Sequence, residues 1–245
     1  MVLAPLTVLE LASQLVTGSA EEVFSAFKVL RPTHFIEGAG MWLLPWPDDL
    51  FRDLLSLPRG ENTITPALTT LVHNVWNAQK VEDLKEDAAE LRGLWDKTVR
   101  GLASVFSEDV DAARSSGPVP EEDRKESFFR NVAHRAGVDE RKYYLDLLAK
   151  GLDAYWISYK YLLQVALQNE NYNFDKNRND HIDAELLIYL ADPRLHLLTC
   201  DTGFRRVAGS SQANRVHIAD PACLGDPERV TVELRNILRL DVAAA

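Results

Sequence analysis

Two stretches of the chain repeat apolar residues at alternating three- and four-residue steps. Leu84, Ala88, Leu91, Trp95, Leu102 and Phe106 make the first, with a Thr98-Val99 step between. Leu145, Leu148, Leu152, Tyr155, Tyr159, Leu162 and Ala166 make the second without a break in the spacing. Such spacing lines apolar side chains along one face of a helix. It predicts long helices packed against each other in coiled-coil fashion. Residues 115–120 (Ser-Ser-Gly-Pro-Val-Pro) separate the two and predict an exposed loop. Glu82, Asp83, Lys85, Glu86 and Asp87 alternate in sign, as on a solvated face. From 48 to 168 the pattern is almost wholly helical.

The two ends of the chain read differently. Pro5 opens a helix that runs to Gln14 and Leu15. Ser19 and Glu22 form a capping box ahead of a helix that buries Val23, Phe24, Phe27 and Leu30. Residues 33–36 predict a short strand and 37–40 a plain turn, whose two glycines give half a phosphate-loop pattern without its lysine. Residues 41–47 (MWLLPWP) read as a hydrophobic anchor. Asn179-Asp180 starts a helix carrying Ile182, Leu186, Tyr189 and Leu190, and Asp192-Pro193 stops it. The apolar run 195–200 suits a buried strand, and Thr202-Gly203-Phe204 turns into a short helix. Residues 215–218 predict another strand. Asp226-Pro227 begins a last helix with Val230, Leu234, Ile237 and Leu238 as its stripe. The expected fold is α/β and mostly helical overall: one domain with a short parallel sheet flanked by helices. Its core is 1–47 and 169–245, interrupted by a long helical insertion at 48–168.

Composition narrows the function classes. The 245 residues are 46% hydrophobic and 26% charged, an ordinary globular balance that argues against disorder. A formal net charge of −10 argues against wide electrostatic capture of nucleic acid. RNA would have to be met by a local basic patch and a bound metal. Cys200 and Cys223 are too few for a disulfide scaffold, and predict reduced thiols in a cytoplasmic protein. No apolar run predicts a membrane span, and the first residues do not read as a signal peptide.

Two acids stand at informative places. Asp183 lies at the start of a helix and Asp201 at the carboxyl end of the next strand, the edge where open α/β sheets bind ligands. A helix opening Asn179-Asp180-x-x-Asp183, then a strand ending Leu198-Thr199-Cys200-Asp201, resembles the third and fourth acidic motifs of PIN-like domains. Leu6-Thr7-Val8-Leu9-Glu10-Leu11 resembles the strand-then-helix segment whose glutamate is that family's second acid. The resemblance covers roughly the first forty and the last seventy residues, and its specificity lies in the order and spacing of motifs that are weak singly.

The resemblance implies a metal-dependent nuclease, most often a ribonuclease. Phosphodiester hydrolysis needs an activated water and a neutralised leaving oxygen, and divalent ions supply both. Mg2+ and Mn2+ prefer oxygen donors, so carboxylates must converge. Asp183, Asp201 and Glu10 are the expected ligands, with Asp180 in support one helical turn from Asp183. Arg205 and Arg206 are expected to hold a phosphate of the RNA substrate, and Lys176 and Arg178 to add backbone contacts. Each acid also has a plainer reading. Asp180 can cap its helix, Asp183 can complement the helix dipole, Asp201 can cap the next turn, and Glu10 is unremarkable on a helix. The histidines show no metal-ligand spacing, and His181 reads as a bystander.

One motif of the family is missing. Its first acid ends a first strand, and nothing before Leu6 supplies it. Three readings account for this: a shortened chain whose Met1 is internal, a strand donated by another chain, or a degenerate member that no longer cuts RNA. The first is favoured. A second function class stays open, a binding or scaffold module whose insertion docks a protein partner or forms a homodimer. Half of a toxin–antitoxin pair is a role common in the family.

Overall fold

The computed structural model describes residues 4–30, 43–60, 64–117, 119–174 and 176–220, with 222, 229 and 232. The expected strand at 33–36, the turn at 37–40, most of the last helix and Cys223 lie outside the described residues, as do the side chains of Phe27 and Leu30. The chain is mostly helical, with a short two-stranded parallel sheet among the described residues.

Helix α1 (Pro5–Gln14) has its proline at the favoured first position. Leu6, Val8, Leu9 and Ala12 are buried, so residues 6–11 are helix throughout and hold no strand of the family's second segment. Helix α2 (Ala20–Leu30) follows Ser19, as the capping box predicts. Then come α3 (Pro47–Leu54) and α4 (Ile64–Asn77). A 3-10 turn leads into α5 (Lys85–Ser116), whose 32 residues make a rod of about 48 Å. Its buried stripe runs Ala88, Leu91, Trp95, Val99, Ala103, Phe106 and Val110. Leu102, expected in that stripe, is only half-buried, because a 3.6-residue period drifts away from a strict seven-residue repeat.

The second apolar seam is two helices, not one. Helix α6 (Glu121–Arg135) precedes α7 (Lys142–Gly151) and α8 (Asp153–Gln168), and Leu152 between the last two leaves the helical region at φ −120°, ψ 31°. Gln212, only 5% exposed, clasps that break. Its Nε2 donates to the Gly151 carbonyl (2.7 Å) and its Oε1 accepts from the Ala154 amide (2.9 Å). One side chain thus satisfies an end of each helix, groups that would otherwise be buried without partners.

Helix α9 (Arg178–Leu186) continues as a 3-10 turn through Ala191 and stops before Pro193. Strand β1 (Leu197–Thr199) pairs in parallel with β2 (Val216–Ile218), Leu198 opposite His217. A 3-10 turn (Thr202–Val207) follows β1. The parallel pairing and the helix–strand–turn order from 178 to 207 agree with the pattern expected, but the strand is shorter than 195–200 and is not buried, Leu198 being 41% exposed.

Two apolar clusters meet along α5 and α9. One gathers Leu6, Leu9, Leu68, Leu71, Leu91, Trp95 and Ile182. The other gathers Phe51, Phe106, Phe129, Leu148, Leu152, Ala184 and Ile188. Each fully buried leucine or phenylalanine contributes about 2 kcal/mol of transfer free energy. Helices from 48–168 supply most of both clusters and pack directly on the segments that carry the acids. Between them lies a polar node joining four helices. Arg135 of α6 makes a two-pronged bond to Glu185 of α9 (2.8 and 2.9 Å) and reaches Asp48 of α3 (2.8 Å), while the Tyr155 hydroxyl of α8 donates to Glu185 (2.5 Å). Among the described residues no helix is long and apolar enough to cross a membrane.

Candidate functional site

Helical spacing puts Asp180 and Asp183 one turn apart at the start of α9. Asp201 follows β1. Its Oδ1 accepts from the Gly203 amide at 2.7 Å and caps the 3-10 turn, the plainer role expected of it. Gly203 suits that turn, since a Cβ there would stand 3.1 Å from the carboxylate. Glu10 comes from α1 on the other side.

The charges show that these acids share one neighbourhood. Asp183 is half-buried, and its carboxyl is pushed up to about 6. Burial is the largest cause, then the Asp201 carboxylate, with Asp180 and Glu10 adding to it and Arg206 opposing. Asp180 is raised by burial and by Asp201, again against Arg206. Glu10 is raised by burial. Three separate stretches of sequence therefore bring carboxyl groups within electrostatic reach of Asp183.

Arg206 is the cation in this group. Its Nε donates to Ser158 Oγ of α8 (2.8 Å), and its guanidinium lies 5.5 Å from the centre of the Phe204 ring. Ser158 is fully buried, so the anchor is fixed. The Nη2 of Arg206 is buried and has no hydrogen-bond partner among the described residues. The Tyr172 hydroxyl beside it is also unpartnered, and is pushed up to about 12 by burial and then by Asp180. His181 Nε2 is a third such atom, on a ring 4.4 Å from that of Phe106. Burial lowers this imidazole to about 4, with Glu185 opposing and Arg206 adding, so it is neutral at pH 7. Buried polar atoms without partners are uncommon in native proteins and call for an explanation.

The remaining expected contacts are not drawn in. Arg205 is exposed on the turn after Asp201, and Lys176 is exposed in the loop before α9. Neither is among the charges that shift Asp180 or Asp183. Arg178 opens α9, and its side chain lies outside the described residues. Among the described residues no three His, Cys, Asp or Glu side chains are grouped closely enough to hold a metal ion together.

Sequence reasoning singled out the acids and Arg206 but missed Ser158, Tyr172 and the burial of His181. The one available signal was a serine in the apolar seam of α8, three residues after Tyr155. Compared with protein-family models, curated proteins and solved structures, the chain matches none.

Proposed function

We propose that the chain is a PIN-like, Mg2+- or Mn2+-dependent ribonuclease whose site is the cluster of Glu10, Asp180, Asp183 and Asp201. The observation that supports this is the convergence on Asp183: three other carboxyl groups, all expected from the motif order, act on it together. The donor set fits a hard divalent ion in kind, being all oxygen. A cation would also offset the carboxylate repulsion that adds to burial in holding Asp183 protonated at mild acidity. Magnesium is commonly held by one or two carboxylates and water. Bound there, such an ion supplies an activated water and neutralises the leaving oxygen.

The chain's own residues have separate tasks in this reading. Asp183 and Asp201 carry the charge that attracts the ion. Arg206, fixed through Ser158, sets a positive charge beside the acids that draws a phosphate of RNA toward them. Arg205 and Lys176, being exposed, suit looser contacts with the backbone of the strand.

A second reading is favoured by the absence of a grouped triad among the described residues. In it the chain is a degenerate member that binds without cutting, through a protein partner or a second copy docked on 48–168. Manganese separates the two. A ribonuclease gains thermal stability with Mn2+, loses that gain in Asp183→Asn, and cleaves a labelled mixed RNA only with both metal and Asp183. A chain that shows neither the stabilisation nor the cleavage behaves as the second reading expects and not as a ribonuclease.

A further inference from the structure

A cleft of about 500 Å3 lies beside α9, walled by α1, α5 and α8. His181, Ala184 and Glu185 face it, while Asp180 and Asp183 are not among its lining residues. Most of its wall is apolar, from Leu6, Leu94, Leu102, Val105 and Leu162, and Val105 stands 55% exposed at its mouth. A mainly apolar pocket with a few converging polar groups is the usual form of a small-molecule site.

The polar groups indicate the sign of the ligand. Arg135 is fully engaged: Nη1 and Nη2 serve Glu185, and Nη2 and Nε serve Asp48. Glu185 is engaged with Arg135 and Tyr155. Two carboxylates have oxygen to spare. Asp48 accepts from Arg135 through Oδ1 alone, and its side chain is 44% exposed. Asp109 accepts from the Tyr159 hydroxyl through Oδ2 alone. Among the described residues the other oxygen of each accepts nothing. Burial raises the pKa of both, so each gains from a cation brought close. Trp46, Phe106, Tyr155 and Tyr159 add aromatic rings, which favour cations over anions. Lys97 is exposed on the rim, and the unpartnered His181 imidazole is neutral at pH 7.

We propose that this cleft binds a small organic ammonium ion, an amine with an aliphatic or aromatic body. Its charged end is taken by the free oxygen of Asp109, and its body lies on the apolar wall of α5. The site is independent of the ribonuclease reading and does not need a metal.

A matched pair of probes tests it: phenethylamine and the uncharged phenylethyl alcohol, titrated by calorimetry into the full chain. The amine binds saturably and the alcohol at least about tenfold more weakly, the range expected when a charge-assisted hydrogen bond is lost. Two variants locate the site. Asp109→Asn keeps an acceptor for Tyr159 but removes the charge. Gly101→Leu fills the cleft from a helical position where a Cβ meets nothing within 4 Å, so the fold is left intact. Both weaken the amine at least about tenfold, while Glu90→Gln, which removes the same charge from an exposed face, does not. Equal binding of the alcohol, unchanged binding in Gly101→Leu, or no binding of the amine overturns the proposal.

Discussion

Asp183 and His181 sit two positions apart on α9, and burial moves them in opposite directions. The carboxyl rises to about 6, so between about pH 4 and 6 the folded chain holds this proton more tightly than the unfolded chain. Its contribution to stability is therefore present below that window and lost as pH rises through it. The imidazole falls to about 4, so from about pH 6.5 down to 4 the unfolded chain takes up the proton first. Its contribution is lost as pH falls. The two slopes oppose each other, and the native chain should be nearly flat across the shared window. Asp183→Asn removes one of them. Urea denaturation should find this variant more stable than the native chain near neutrality, by about 1–2 kcal/mol after allowance for solvent screening. The variant alone should lose stability on acidification to about pH 4.5. A variant with the native pH profile refutes the assignment. Asp183 and Asp201 could be singled out in the sequence because each stands near an element boundary. The anchoring of Arg206 was not, because Ser158 lies nearly fifty positions away on another helix and nothing local joins them.

At the scale of elements, boundaries that rest on local chemistry were legible, and those made by distant partners were not. Pro5 and Pro47 begin helices where proline should, and Pro193 follows the end of one. The break between α7 and α8 gives no such signal, since Gly151 alone is tolerated in a helix and the deciding group is Gln212. The end of α6 is a clearer case. Gly137 adopts φ +67°, its amide donates to His134 (2.9 Å), and the Val138 amide donates to Ala133 (3.1 Å). These two bonds close the helix in the Schellman manner. A Cβ at 137 would stand 3.1 Å from Arg52 Nη1, which itself donates to the Ala136 carbonyl at 2.8 Å. Gly137→Ala should therefore cost about 1–2 kcal/mol in a urea titration, from the left-handed backbone and the displaced arginine. A cost near zero means that the turn relaxes freely.

The molecule as a whole divides less cleanly than its sequence. The segment 48–168 reads as an insertion because its period is uniformly helical, yet α5 supplies apolar residues to both clusters and α1 and α9 lie against it. A chain in which 48–168 is replaced by a short linker should therefore lose its helical circular dichroism rather than fold as a smaller α/β domain. Retention of a cooperative melt by the shortened chain would show that 1–47 and 169–245 form a core by themselves. The sequence pattern does not carry this information, since periodicity reports which face is buried and not against what.

The node of Arg135, Glu185, Asp48 and Tyr155 has a consequence for how such a chain can change over generations. Removing Arg135 strands the buried charge of Glu185, at about 3–5 kcal/mol, whereas replacing both with apolar residues is often neutral. The intermediate is worse than either end point. Descent would thus keep these helices' polar residues together for long periods and then exchange them as a group. A descendant lacking arginine at 135 should also lack glutamate at 185, so the two positions share a single history although they lie fifty residues apart.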